Sequence, residues 1–489
     1  MILTFAPLGY WWLQPLLLAV LILLWADAPP GRAAALGFAF GMGWFGAGVS
    51  WVYISMHDIG GMPMLVALLA TLLFAMVLAG YPALAGWLQA RLAPTPWWRI
   101  TIAVPAAFTV CEWLRGWVFT GFPWIAPGYA HSDGPLAGYA PLVGAHGLTF
   151  LAVLAAGLIA HAFAAATLRT PSKSLVQALL RPIAVLGVLI AAGISLRAVE
   201  WTHPVGAPLE VSLLQGNIAQ ELKFVEGRFE ATLDTYARLA ERHPARLIVM
   251  PETALPRMLH AIPEAALQRL DGLAGSRGAT LITGVPRAES ATRYFNSALS
   301  LGRDAGQRYD KAHLVPFGEF IPFGFRWFVD LMQMPLGDFT SGGARQVPLQ
   351  VGDQRIAINI CYEDLFGEEI IGQLPVATLL LNLSNVGWFG DSLAPHQHLQ
   401  ASRMRALEAG RPMLRATNTG ATAVIDARGN VTQALPMFRE GALAATVQGR
   451  SGTTPYVLTG NWGIISLCAG TLLWAAWRMR RRVPAPAPR

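Results

Sequence analysis

The sequence predicts a protein of two parts: a polytopic α-helical membrane bundle of about seven spans, and an α/β domain inserted before the last span. Three observations predict it. The chain of 489 residues is 54% hydrophobic and 13% charged, with a mean hydropathy of +0.43, which excludes a disordered or simple soluble protein. Apolar stretches of the ~20 residues needed to cross a bilayer recur through the first 200 positions and return near the C-terminus. Composition shifts at Trp201-Thr202-His203-Pro204, after which short apolar runs alternate with amphipathic segments.

The expected spans are 7–26, 34–55, 63–90, 98–118, 139–168, 179–199 and 459–478. Turn residues separate them, among them Ala28-Pro29-Pro30-Gly31, Gly60-Gly61, Pro94-Thr95-Pro96 and Pro171-Ser172-Lys173. Alternate breaks are basic: Arg32, then Arg91 and Arg99, then Arg169, Lys173 and Arg181, then Arg478, Arg480, Arg481 and Arg482. The breaks after the second and sixth spans hold His57, Asp58 and Glu200 instead, and Arg115 is the one exception to the pattern. The positive-inside rule then puts the N-terminus outside and the C-terminus in the cytoplasm. It divides the chain into a helical bundle at 1–200, an external domain at 203–455, a final helix at 459–478 and a cytoplasmic basic tail at 479–489. The 17 Trp suit anchoring at the membrane interface. No basic segment precedes the first apolar run, which argues against a cleaved signal peptide. No repeat of 20–50 residues is visible. The net charge of +7 and pI of 9.6 belong mostly to the breaks between spans, and no basic stripe interleaved with aromatics points to nucleic acid.

Within the external domain, strands are expected at Leu209–Gln215, Arg246–Met250, Thr280–Val285, Asn296–Leu301, Arg355–Ile360, Thr378–Asn382 and Ala421–Ile425. A helix is expected at Arg228–Glu241. Alternation of this kind implies a layered α/β domain.

Cys361 is the most informative residue of that domain. It follows the apolar run Arg355–Ile360 in Asn359-Ile360-Cys361-Tyr362-Glu363-Asp364, so a buried strand delivers a thiol to a sharp turn. The other two cysteines, Cys111 and Cys468, lie in membrane-type stretches, which leaves Cys361 without a disulfide partner. It is then either a small core residue or a nucleophile. Two further strand ends carry matching chemistry. Leu247–Met250 runs into Pro251-Glu252, and Tyr309-Asp310 runs into Lys311. A thiol needs a base, which Glu252 can be if burial raises its pKa, and the Lys311 ammonium would favour thiolate and oxyanion. Carboxylate, ammonium and thiol, each after an apolar strand, form a specific constellation.

On these residues the sequence resembles the nitrilase superfamily, with Glu252, Lys311 and Cys361 matching its catalytic triad. It resembles the membrane-bound apolipoprotein N-acyltransferase branch more closely. The shared stretches are GFPW at 121–124, YDKAHLVPFGEFIP at 309–322, NICYED at 359–364, NVGWFGDSLAPHQHLQ at 385–400 and RALEAGRPMLRATNTG at 405–420. The resemblance implies a nitrilase-like α-β-β-α sandwich, facing the periplasm from the bacterial inner membrane. It implies transfer of a fatty acyl chain from a phospholipid, through a thioester on Cys361, to the N-terminal amine of a diacylglyceryl-modified apolipoprotein. Membrane lipid is thus the expected partner, with no nucleic acid and no cofactor.

The same resemblance gives functional weight to Glu319, Tyr362 and Glu363. Glu319 would position Lys311 or the nucleophile, and Tyr362 would shape the acyl pocket. Backbone N–H groups after Cys361 would join an oxyanion hole, while Glu363 either supports the reaction or only fixes the turn. The apolar segment 323–334, with Trp327 and Phe328, reads as a lid admitting lipid or else as a packed helix, and Gly318 and Gly324 are candidate hinges. Trp388 and His396 are further candidates at the rim. His396-Gln397-His398 lacks the acidic or cysteine ligands a metal site needs, so no metal is expected, and a helix is expected to start after Pro395. Two departures stand out. Phe224 occupies a position where relatives carry Trp, which removes an indole donor. The family usually has one more span ahead of the segment resembling Leu3-Thr4-Phe5-Ala6-Pro7. The rival readings are a membrane-anchored amidase that uses water and a transporter with a binding domain. Against the transporter, the spans hold few charges beyond Glu112 and Arg115.

Overall fold

The computed structural model describes residues 1–92, 96–167, 172–225, 227–324, 326 and 338–481. The chain divides into two compact units, one of Met1–Ser50, Leu68–Glu200 and Leu458–Arg489, the other of Trp51–Ala67 and Trp201–Val457.

The first unit is helical: α1 (Leu13–Trp25), α2 (Pro30–Gly48), α3 (Met64–Leu92), α4 (Val104–Arg115), α5 (Ala140–Thr167) and α6 (Ser172–Leu196), with a last helix at Trp462–Arg481. Among the described residues, three helices are long and apolar enough to cross a membrane: Met64–Leu92, Pro135–Thr167 and Ala178–Leu196. The pair Pro30–Gly48 and Trp51–Ile59, bent by 49°, makes a fourth if it counts as one span. Helix occurs in all seven expected stretches, but two of them are short. α1 has 13 residues and α4 has 12, about 20 Å each at ~1.5 Å per residue, under the ~30 Å hydrocarbon core. Turns at 6–8 and 11–12 and a left-handed Gly9 at φ +66° delay α1, and a π-helical turn at Arg99–Ala103 precedes α4.

Small residues bring α2 and α3 together. A Cβ on Gly37 would lie 2.3 Å from the Pro82 carbonyl oxygen, and one on Gly41 would lie 2.8 Å from Ala79 Cα. The two charges of α4 neutralise one another, because Arg115 Nη2 lies 2.6 Å from Glu112 Oε2 with both side chains buried. Arg115 also donates to the carbonyls of Phe122 and Trp124, so the GFPW stretch wraps its guanidinium.

The second unit holds fourteen strands among its described residues. They are β1 (Thr202–Pro204), β2 (Leu209–Gln215), β3 (Leu247–Val249), β4 (Thr280–Ser290), β5 (Arg293–Gly302), β6 (Arg308–Asp310) and β7 (Leu349–Val351). The rest are β8 (Gln354–Ile360), β9 (Leu379–Ser384), β10 (Met413–Thr417), β11 (Ala423–Ile425), β12 (Val431–Ala434), β13 (Gly441–Val447) and β14 (Arg450–Gly452). Two six-stranded sheets form, ordered β13-β2-β3-β4-β5-β6 and β12-β11-β10-β9-β8-β7, and β1 pairs β14 apart from them. β2, β3 and β4 run parallel in one sheet, and β8, β9 and β10 do so in the other.

Alternation along each strand builds the layers. Val211, Leu213, Leu247, Val249 and Ile282 of one sheet share a core with Ile356, Ile358, Ile360, Leu381 and Leu414 of the other. Ile248, Met250 and Leu281 face the opposite way, onto α7 (Phe229–Arg242) and α8 (Glu264–Gly275). Ala357, Leu380 and Met413 likewise face α9 (Ala394–Ala409). Helices thus cover both outer faces and the unit is a nitrilase-like α-β-β-α sandwich. α9 carries Pro395 in its first turn.

Candidate active site

β3 and β4 run parallel, and β4, β5 and β6 are successively antiparallel, so β3 and β6 end at the same edge of their sheet. β3 leads into Glu252 there and β6 into Lys311. In the second sheet β8 ends on Cys361, and its parallel neighbour β9 leads into Asn385. The sandwich thereby gathers strand ends from both sheets.

Glu252 is buried and fully engaged. Its Oε1 accepts from Asn296 Nδ2 at 2.8 Å and from Lys311 Nζ at 3.4 Å, and its Oε2 accepts from the Asn385 backbone N–H at 2.8 Å. Lys311 Nζ donates to Glu319 at 2.9 Å. Glu319 also accepts from Asn296 Nδ2 and from the Val315 N–H, both at 2.8 Å. Asn296, on β5, therefore bridges the two carboxylates. Glu319 sits against Lys311.

The electrostatics depart from the sequence expectation. Burial alone would raise the Glu252 pKa, but the Lys311 ammonium, Asn296, Lys223 and the Asn385 N–H outweigh it and hold the carboxyl below its ordinary value. Burial pulls Lys311 down, yet Glu319 and Glu252 raise it well above the usual ammonium range. The Cys361 thiol is pushed up to about 12 by burial first and then by the Glu252 carboxylate, against the opposing pull of Lys311. The resting site is a carboxylate, an ammonium and a neutral thiol, and not a preformed thiolate.

Cys361 opens a 3-10 turn, Cys361–Leu365, with its backbone in the left-handed region at φ +55°. Such a conformation in a side-chain-bearing residue needs support from its surroundings. Asn382 Nδ2 and His398 Nε2 each lie 3.0 Å from the Cys361 carbonyl oxygen. Arg415 donates to His398 Nδ1 at 2.7 Å, which leaves Nε2 carrying the proton; Nε2 lies 2.6 Å from Asp364 Oδ1. Arg415 Nη1 reaches Asp364 Oδ2 at 2.7 Å, and Ser402 donates to the same oxygen. Burial and Arg415 keep the His398 pKa below its ordinary value, and so the ring is neutral.

Glu363 fixes the turn. Its Oε1 accepts from the Tyr309 hydroxyl at 3.0 Å, the Ala312 N–H at 2.6 Å and the His313 N–H at 3.0 Å, while Oε2 accepts from the Ile360 N–H at 2.6 Å. Burial raises it to about 7 against those donors. Tyr362 is buried, its ring 5.1 Å from that of Phe366. Trp388, in the turn Val386–Phe389, and Phe224 are both exposed. His396 is half-buried; His398, two positions on and therefore about 200° around α9, is the histidine that reaches Cys361. Trp327 and Phe328 lie outside the described residues; Gly318 and Gly324, the latter at φ +86°, are described.

Sequence reasoning missed Lys223, Asn296, Asn385, His398 and Arg415. Asn385 and His398 stand inside the stretch 385–400 that was already singled out. Lys223 stands beside Phe224, the only residue of its segment that the sequence reading weighed. It is buried, and its Nζ donates to the Glu252 carbonyl at 3.1 Å.

A buried carboxylate, ammonium and thiol at the strand ends of an α-β-β-α sandwich define a thiol enzyme of the nitrilase superfamily. A family model described as carbon-nitrogen hydrolase matches residues 210–456, and one described as the apolipoprotein N-acyltransferase N-terminal domain matches residues 1–158. Relatives named apolipoprotein N-acyltransferase match along almost the whole chain. The one from Ralstonia nicotianae is 50% identical over 98% of this chain and 91% of its own length, and that from Nitrosomonas europaea is 45% identical over 98% and 96%. Among solved structures, a Nesterenkonia amidase of the nitrilase superfamily aligns with 52% of this chain and 95% of its own, at 19% identity and a TM-score of 0.38. The chain belongs to the apolipoprotein N-acyltransferase family, an acyltransferase branch of the nitrilase superfamily.

Proposed function

We propose that the protein moves a fatty acyl chain from a phospholipid to the N-terminal amine of a diacylglyceryl-modified apolipoprotein, in two steps through a thioester on Cys361. The observation that carries this reading is the convergence of Glu252, Lys311 and Cys361, all buried, in a chain whose relatives bear the N-acyltransferase name over nearly its full length.

In the first step Cys361 Sγ attacks the ester carbonyl carbon as its proton passes to Glu252. The Lys311 ammonium stabilises the oxyanion. Collapse breaks the ester C–O bond, and Glu252 returns the proton to the departing glycerol oxygen. In the second step the acceptor amine attacks the thioester and Glu252 takes its proton. The C–S bond breaks and the thiol is restored. The resting charges support this assignment: an ionised Glu252 is ready to accept a proton, and a high thiol pKa keeps the nucleophile dormant until a carbonyl arrives. Glu319 and Asn296 hold Lys311 and Glu252 in register, and Glu363 holds the turn.

The same reading puts seven spans in the bacterial inner membrane, with 1–200 as a bundle, 203–455 in the periplasm, 459–478 as the last span and 479–489 in the cytoplasm. The alternation of basic breaks supports it. Trp327 and Phe328 act as the lid, with Phe224, Trp388 and His396 at the rim. An assay of phospholipid consumption with and without an amine-bearing lipopeptide tests the function. Sustained consumption should require the lipopeptide. Equal turnover without it would establish the water-using amidase instead.

A further inference from the structure

We propose that Lys223 is a positioning residue of the catalytic centre: a second ammonium that, together with Lys311, offsets the Glu252 and Glu319 carboxylates and keeps Glu252 aimed as a base. The inference rests on the reading of Cys361 and Glu252 as nucleophile and base.

The chain turns sharply at this point. Gln220–Leu222 forms a 3-10 turn, after which Lys223 points inward with 2% of its surface exposed, while the adjacent Phe224 is 60% exposed. The segment holds Glu252 from two sides. Lys223 Nζ donates to the Glu252 carbonyl at 3.1 Å. Gln220 Oε1 accepts from Asn385 Nδ2 at 2.8 Å, and the Asn385 N–H donates to Glu252 Oε2 at 2.8 Å. A lysine in such a place is exceptional, since a buried ammonium is costly unless opposite charge faces it.

The charged and titratable groups of the centre come from several elements. Glu252 follows β3, Lys311 follows β6, Glu319 lies in the loop beyond, Cys361 and Glu363 follow β8, and Arg415 lies on β10. Of these, Glu252 and Cys361 act directly on Lys223. Glu252 and Glu319 against Lys311 and Lys223 sum to zero around a neutral thiol. Passing the thiol proton to Glu252 while an oxyanion grows leaves that sum unchanged. Without Lys223 the same buried set carries one net negative charge. Glu252 then binds a proton more readily, and formation of either thiolate or oxyanion is opposed. Burial lowers Lys223 to about 8, so its charge is present below that pH and fades above it.

The test uses the full-length protein in phospholipid vesicles and two pH profiles: acyl transfer, and alkylation of Cys361 by iodoacetamide, read by mass spectrometry of its peptide. Alkylation needs neither donor nor acceptor, so a failure of this inference is distinct from a failure of the acyl-transfer reading, which would show as no acyl adduct on Cys361. Lys223→Gln keeps a hydrogen-bond donor and removes the charge. It should move the acid limb of transfer upward by about one pH unit or more and slow alkylation at fixed pH about tenfold. It should also abolish any alkaline limb that Lys223 creates. Lys223→Arg should restore both profiles toward wild type. A uniform loss of rate with unmoved limbs would assign Lys223 to packing and overturn the proposal, as would wild-type profiles. If Lys223→Gln melts more than a few degrees early, Lys223→Arg decides: limbs in place support the role of charge, and displaced limbs refute it.

Discussion

Glu252→Gln should separate two properties of Cys361 that usually change together. Glu252 is a like-charge neighbour of any thiolate that forms, and it contributes to the raised thiol pKa. An amide in its place removes that opposition. A neighbouring charge at ~4–6 Å shifts a pKa by about 1–3 units, so the thiolate fraction near neutral pH should rise at least tenfold. The amide keeps Oε1 as acceptor for Asn296 and Lys311, and its NH2 then faces the Asn385 N–H that donated to Oε2 at 2.8 Å. One buried donor without an acceptor costs about 1–3 kcal/mol, or several degrees of melting temperature for a unit of this size. Lys311 keeps Glu319 at 2.9 Å, so its position should hold. Alkylation of Cys361 by iodoacetamide should accelerate. Acyl transfer should fall on the order of 100-fold or more, because no acid remains to protonate the departing glycerol oxygen. Alkylation and transfer are followed on the same preparation across pH 6–9, with Cys361→Ala as the blank. A folded Glu252→Gln protein in which alkylation slows in step with transfer would refute the charge arrangement argued here.

Cys361→Ala should fold and lack all transfer. Wild type given phospholipid alone should gain one fatty acyl group by intact-protein mass spectrometry, removable by neutral hydroxylamine, and the absence of that adduct under every acceptor-free condition would favour direct transfer. Lys311→Met should lower transfer on the order of 100-fold or more in a steady-state assay, with the melting temperature also reduced because two carboxylates lose their ammonium. Arg415→Leu takes the guanidinium away from the buried Asp364 carboxylate, at a cost of about 3–5 kcal/mol. An unpaired Asp364 has a raised folded pKa, so this loss should be largest at pH 8 and shrink on acidification toward pH 5, as thermal melts at several pH values would show. Replacing Trp327 and Phe328 with Ser should impair use of membrane phospholipid and spare a short soluble ester; equal losses would argue for packing. A reporter placed in the Gly302-Arg303-Asp304-Ala305-Gly306 turn should signal from the periplasm, and a cytoplasmic signal would contradict the topology.

Glu252 and Cys361 were legible because each closes an apolar run, and period-2 burial makes such runs visible, whereas Lys311 follows the polar Arg308-Tyr309-Asp310 and stood out through the long stretch 309–322. The groups that tune them were not. Asn296 sits within an expected strand and looks like any polar residue on it, and only the β4–β5–β6 register turns its amide onto both carboxylates. His398 and His396 are equivalent in sequence until the orientation of α9 chooses between them. The direction of the Glu252 shift depends on Lys311 and Lys223, which approach from positions 59 and 29 residues away. β1, β7 and β14 have three residues each, too few to show a period, and β13 joins β2 from more than 200 positions down the chain. In the membrane part, apolar composition marked the stretches but could not show where Gly9 or the π-turn at Arg99–Ala103 would shorten the helix.

The Glu363 carboxylate has a consequence for how turnover proceeds. One side chain grips the last amide before the nucleophile and the two amides after Lys311. The thiol and the ammonium are thereby fastened to a common block, with little room for either to shift separately. An ester and an amine must then be presented in turn to a fixed anvil, each bringing its own carbonyl or nitrogen to the same place. Selectivity between lipids would accordingly be decided by which molecules can be delivered to that point, and the chemistry itself would run alike for every acyl chain that arrives.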